Sequence, residues 1–216
     1  MELFSLPHTA KVNRVIPKNA FDAYTNSKQK KLFTDKILRI TWLQKLSPDT
    51  VNLEAKEIKE IQIFKIELKV KEEIQLLLEI IDKAIPYNII FIVEESGSIY
   101  LSTSTKHPHP INNDNSVIEW TFKTSWFSNS LNTYSLHLKK SLDAVYHDFC
   151  IQLSGNKKMA RKSLQDLVHY NKQIDSLEKE ITQLKKSIKN SKQYKCKVEH
   201  NLLLKQRVQE LKTLIS

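Results

Sequence analysis

Apolar and polar positions change period several times along this 216-residue chain. Residues 1–19 hold Pro7 and Pro17 and show little periodicity, which predicts an extended lead-in. From Ser27 to Leu46, Leu32, Phe33, Ile37, Ile40, Leu43 and Leu46 recur at three- and four-residue spacing. That spacing predicts one helix, ended by Ser47 and Pro48. Over 57–69 the period drops to two: Phe64, Ile66 and Leu68 alternate with Lys65, Glu67 and Lys69. This is strand patterning, and Ile61 and Ile63 extend the apolar character to the second face. Ile74, Leu77, Leu78 and Ile81 predict a helix over 72–84, stopped by Pro86. The run Asn88–Val93 (NIIFIV) reads as a strand buried on both faces. Ser96 and Gly97 turn it into a partner strand around 98–105. Residues 107–115 are a loop by composition. Ile118, Trp120 and Phe122 mark a strand over 117–123, and 133–138 suggests a short edge strand. Leu142, Val145, Tyr146, Phe149 and Leu153 share one face of a helix over 139–153.

The remaining stretch is helical in pattern. Leu167, Tyr170, Ile174, Leu177, Ile181, Leu184 and Ile188 follow a strict three-four repeat. Isoleucine at a and leucine at d favour a parallel two-stranded coiled coil, which makes Leu167, Ile174, Leu177, Ile181, Leu184 and Ile188 an oligomerisation seam and the chain a homodimer through its tail. The repeat breaks at Asn190 and Ser191, and Val198, Leu202, Val208, Leu211 and Ile215 resume it. That break equally permits an antiparallel hairpin within one chain. The expected architecture is α+β: a mostly antiparallel sheet packed with helices over 1–155, then a basic coiled-coil or helical-hairpin tail over 156–216.

Charge sharpens the division. The chain carries +10 overall, but residues 1–155 hold 19 basic against 18 acidic side chains, while 156–216 hold 15 against 6. The break falls near Gly155, one of two glycines in the chain. With so few glycines there is no phosphate-cradling G-x-x-x-x-G-K-[ST] or G-x-G-x-x-G motif. The longest apolar run, Ile89–Val93, is far short of the roughly 18–20 residues of a membrane span. The opening Met1–Phe4 shows no basic region followed by an apolar one, and Cys150 and Cys196 stand far apart. A cytoplasmic protein with reduced thiols and no membrane contact is expected.

Four constellations could carry chemistry. Lys185, Lys186, Lys189, Lys192, Lys195 and Lys197 fall in 181–198, where there is no Asp or Glu. Such a stretch attracts phosphates by counterion release, without sequence readout; an acidic protein face would serve equally. The alternative is a solvated helix surface. Second, Pro48-Asp49 followed by Glu67-Leu68-Lys69 matches the PD-(D/E)xK nuclease pattern, in which Asp49 and Glu67 would bind Mg²⁺ and Lys69 would orient a water. The plainer reading is a helix stop and the solvated face of a strand. Third, His107 and His109 alternate, but only Asp114 accompanies them, short of four ligands, so no metal is expected. Fourth, His147 and Cys150 lie one helical turn apart, which suits packing better than a nucleophile pair. Asp82 and Lys83 interrupt apolar sequence just before the central strand, as a helix end or a partner-binding corner.

Several stretches resemble the bacterial family labelled domain of unknown function 4391: Asn13–Lys18 (NRVIPK), Glu60–Phe64 (EIQIF), Ile81–Tyr87 (IDKAIPY) leading into Asn88–Phe91 (NIIF), Leu142–Tyr146 (LDAVY) and Lys197–Asn201 (KVEHN). None is a catalytic signature. The resemblance implies context: such genes tend to lie beside helicase and DNA-methyltransferase genes in restriction or phage-defence loci. It therefore implies a helicase or DNA methyltransferase of the same locus as partner. The preferred expectation is a non-catalytic, cofactor-free accessory subunit. Its body would bind protein, and its tail would oligomerise or contact nucleic acid. The alternative is the Mg²⁺-dependent nuclease of Asp49, Glu67 and Lys69.

Overall fold

The computed structural model of the chain describes residues 3–108 and 116–215. The chain divides into two compact units, Met1–Leu164 and Gln165–Ser216. The first is α+β. Strand β1 (Lys11–Ile16) precedes helix α1 (Ser27–Lys36), strand β2 (Ile37–Leu46), the single turn α2 (Pro48–Val51) and strand β3 (Ile61–Leu68). Helix α3 (Gln75–Ala84) crosses to β4 (Asn88–Glu95), followed by β5 (Ser98–Pro108), β6 (Ser116–Lys123), the two-residue β7 (Phe127–Ser128) and helix α4 (Leu142–Ser154). The sheet order is β1-β2-β3-β4-β5-β6, with β7 against β5. Among the described strands each pairing is antiparallel except β3 with β4.

That one parallel pair sits mid-sheet and is covered on both sides. Phe64, Ile66, Leu68, Ile89, Phe91 and Val93 pack against Leu77, Leu78 and Ile81 of α3 and Phe33 of α1. The alternate positions Ile63 and Ile90 pair on the other face, where Thr103 is in register with Ile90. There α4 closes the layer: the Tyr146 hydroxyl lies 2.9 Å from Thr103 Oγ1 and donates to the Ser104 carbonyl at 2.7 Å. Complete burial pushes the Tyr146 phenol well above its usual pKa. The start of α4 is fixed by Asp143, whose carboxylate accepts the backbone N–H groups of Lys56, Glu57 and Ile58 at 2.9–3.1 Å. Burial works to raise this carboxyl, but those three donors outweigh it and hold its pKa below the usual carboxylate value.

Three expectations are corrected. The helix expected over 27–46 stops at Lys36, and Ile37–Leu46 is strand β2. Bulges between Ile37 and Arg39 and between Trp42 and Gln44 shift which side chains face inward. Ile37, Ile40, Thr41, Gln44 and Leu46 are therefore buried at spacings that imitate a helix. The lead-in contains edge strand β1, paired with β2. The edge strand expected at 133–138 does not form; β7 takes that role. The hairpin β4–β5, the strand near 117–123 and the helix near 139–153 lie where the pattern put them.

The second unit holds helices α5 (Leu164–Asn190), whose first residue belongs to the first unit, and α6 (Tyr194–Ile215). They run antiparallel. Tyr170, near the start of α5, donates to the Leu214 carbonyl at the end of α6 at 3.2 Å, and Arg207 meets Glu180 at 2.8 Å.

The most buried ion pair among the described residues joins Lys106 and Asp82, 2.8 Å apart in the first unit. Desolvation pushes the Asp82 carboxyl up and the Lys106 ammonium down. Lys106 also donates to the carbonyls of Asp82 and Ile85, which α3 leaves open at its end. We expect Lys106→Met to destabilise the protein by about 3–5 kcal/mol in urea unfolding, because it strands a buried carboxylate. Lys106→Met with Asp82→Leu should recover most of that loss. A single variant as stable as the parent would contradict the pairing.

Candidate functional site

The nuclease pattern is not assembled. Asp49 lies in α2, beyond the β2 end where Leu46 pairs with Ile61. Glu67 pairs with Arg39 at the opposite end of the same ladder, so about 20 Å of strand lies between them. The Glu67 carboxylate is held by Arg39 at 3.7 Å and Lys65 at 3.6 Å. The Lys69 ammonium bonds the Thr34 carbonyl of α1 at 2.8 Å. Two-residue spacing is right for one strand face, but these partners claim the groups first. The carboxylate nearest Lys65 is Glu94, from the parallel neighbour β4, at 2.7 Å. Burial lowers the Lys65 pKa, yet the hydrogen bond and charge of Glu94, aided by Glu67, outweigh it and hold the ammonium above its usual value. Among the described residues no group of three His, Cys, Asp or Glu is placed to hold a metal. His109 and Asp114 lie outside the described residues.

The six lysines are brought together. Lys185, Lys186 and Lys189 occupy the last turns of α5, Lys192 the connection, and Lys195 and Lys197 the first turn of α6. At 1.5 Å of helix rise per residue, all six lie within about 10 Å of the turn along the hairpin axis. The turn is tight: Ser191 N–H donates to the Ser187 carbonyl at 2.9 Å, and Lys197 N–H to the Gln193 carbonyl at 3.2 Å. Five of the lysines are exposed and Lys197 is half-buried. Among the described residues none of the six forms an ion pair. Cations at the end of α5 suit its dipole, whereas Lys195 and Lys197 oppose that of α6, whose first turn has no acid. Tyr194, 82% exposed, is the aromatic at this tip.

The seam residues are covered within one chain. Leu167, Leu177 and Ile181 are buried, and Ile174, Leu184 and Ile188 half-buried. The three-four repeat could not reveal whether its complement was a second copy or α6, because both present the same apolar stripe. Two ion pairs of the body escaped the sequence reading. One is the Lys65–Glu94 pair across a parallel ladder, which no local spacing signals. The other is the buried partner of Asp82, Lys106, found 24 residues away.

Cys150 is fully buried, and its thiol pKa is pushed up by burial. Burial also lowers the nearby His147 imidazole. Neither change suits a nucleophile and its base. A thiol reagent should therefore label one cysteine, Cys196, in native protein and two in denaturant. Rapid native labelling of Cys150 would contradict the packing of α4.

No helix among the described residues is long and apolar enough to cross a membrane. Comparison with curated proteins and with solved structures finds no match. The model of the family described as Domain of unknown function (DUF4391) matches residues 4–211, nearly the whole chain through both units. The chain belongs to that family.

Proposed function

We propose that the protein is a non-catalytic accessory subunit of a bacterial DNA-modification or phage-defence assembly, and that the hairpin tip holds nucleic acid by its phosphates. One observation carries the contact: six lysines from both helices and their turn converge where 181–198 contains no acid. Ammonium groups without carboxylate neighbours are free to displace the counterions condensed on a phosphate backbone, and that release drives binding. Lysine is a point charge on a flexible stem, so the contact positions a strand and reads no base. The α+β body supplies the protein contact in this reading. A helicase or DNA methyltransferase of the same locus is the partner that the family context supports. The nuclease alternative loses ground because Asp49 stands at the far end of the ladder from Glu67.

With duplex DNA, the logarithm of the association constant should fall against the logarithm of salt concentration with a slope that the tip sets. Replacing all six lysines by glutamine should reduce the slope by about 5. Far-ultraviolet circular dichroism should be unchanged, since none of the six lysines is buried. An unchanged slope in that variant would overturn the tip assignment. The same full-length variant, purified from nuclease-treated host lysate, should still carry its helicase or methyltransferase. Loss of that protein with the lysines would mean that the hairpin tip, rather than the body, holds the protein partner.

A further inference from the structure

The first unit holds a cavity of about 150 Å³ on the sheet face that α4 shares. Its apolar walls are Phe4, Leu43, Ile92 and Ile99, and its polar groups are Gln44, Lys65, Glu94, Asn13, Asn129 and Lys11. Lys11 and Asn13 are exposed, so the cavity opens past the bulge of edge strand β1. Gln44 is 7% exposed and lines this space. Its side-chain amide makes no hydrogen bond among the described residues. Gln62, buried at the same level in the same sheet, is satisfied by Glu60 at 2.6 Å. The amide atoms are not sealed away as orphaned polar groups, so they stay open to a hydrogen-bonding partner from this space. Here the amide faces a void large enough for a ligand.

The lining selects the ligand class. A void of about this volume accepts benzene, so one six-membered ring fits. Apolar walls with a few convergent polar groups are the usual form of a small-molecule site. A carboxylate or phosphate would meet Glu94, and Lys65 is already engaged by Glu94 and Glu67. A neutral ring with both donors and acceptors meets no such conflict. The Gln44 amide offers one donor face and one acceptor, and ionised Glu94 only accepts. A carboxylate accepting from an exocyclic amino group is the pairing that proteins use for cytosine.

We propose that this cavity binds a pyrimidine base of the cytosine type, with Gln44 and Glu94 on its polar edge and Ile92, Ile99 and Phe4 around its ring. The sugar would leave past Lys11 and Asn13. The site lies in the body and does not rest on the hairpin tip.

The test is a titration of the full chain with deoxycytidine, thymidine and benzene, with affinities read by calorimetry in every variant and the Gln44 side-chain amide resonances followed wherever Gln44 is present. Deoxycytidine should shift them saturably, and thymidine, lacking the amino group, should bind at least fivefold more weakly. Gln44→Leu should weaken deoxycytidine binding at least tenfold with an unchanged melting temperature. Should that variant misfold, Asn13→Gly keeps the left-handed backbone at Asn13 (φ 53°) and should weaken binding severalfold. Binding of benzene without deoxycytidine would show a dry void and overturn the proposal. Deoxycytidine binding equal in wild type and Gln44→Leu would overturn it too. An oligodeoxycytidylate hexamer, titrated into the six-glutamine variant so that phosphate attraction does not mask the site, separates two sources. Matching Gln44 shifts with the hexamer support a base presented by a strand; shifts with the nucleoside alone support a free pyrimidine.

Discussion

The parallel pairing of β3 with β4 is the constraint on which the rest of the body depends. Two parallel neighbours cannot be joined by a tight turn, so the chain must leave the sheet and return through a helix. Helix α3 does this, and its Leu77, Leu78 and Ile81 cover one face. The pair is mid-sheet, so its other face needs cover as well, and α4 supplies it through Tyr146. The crossover ends where α3 meets β5, and there Lys106 holds Oδ1 of the Asp82 carboxylate and two open carbonyls together. Antiparallel pairings then extend the sheet on both sides.

Electrostatics follow the sequence rather than the division into units: residues 1–164 and 165–216 each carry a net +5. Body cations find acids: Lys36 meets Glu72, Lys45 meets Glu60, Lys65 meets Glu94, and Lys123 meets Glu73, all within 2.6–3.1 Å. The exposed pair of Lys123 and Glu73 contributes little stability. The effect of these pairs is to balance residues 1–155 almost fully, so that the excess positive charge lies in the cations of 157–162 and in the acid-free stretch 181–198. At physiological salt the screening length is about 8 Å, comparable to the span of the six-lysine tip. The proposed contact therefore treats the tip as one charged object toward a phosphate backbone.

Much of this architecture was legible in the sequence where burial and period agreed. The continuous Ile89–Val93 run marked the doubly covered strand, and Gly97, at φ 80°, marked the hairpin turn. The break at Asn190 and Ser191 marked the turn between α5 and α6. Strand β2 was illegible because two bulges gave it helical spacing, and β1 because an edge strand with an exposed Val15 and a bulge at Asn13 shows no alternation. The lysine tip was readable as composition, since absence of acids over 181–198 needs no fold. The separation of Asp49 from Glu67 was not, because strand direction decides which end of a ladder a following turn occupies. Gln44 gave no signal, as its burial follows from the bulge that turns it onto the α4 face.

Nucleic acid meeting the protein at the hairpin tip is tested most directly by lysine-selective chemical footprinting with and without duplex DNA. Lys185, Lys186, Lys189, Lys192 and Lys195 should lose reactivity on binding, while the exposed body lysines Lys28, Lys31 and Lys59 should not. Protection of those body lysines with an unprotected tip would contradict the assignment.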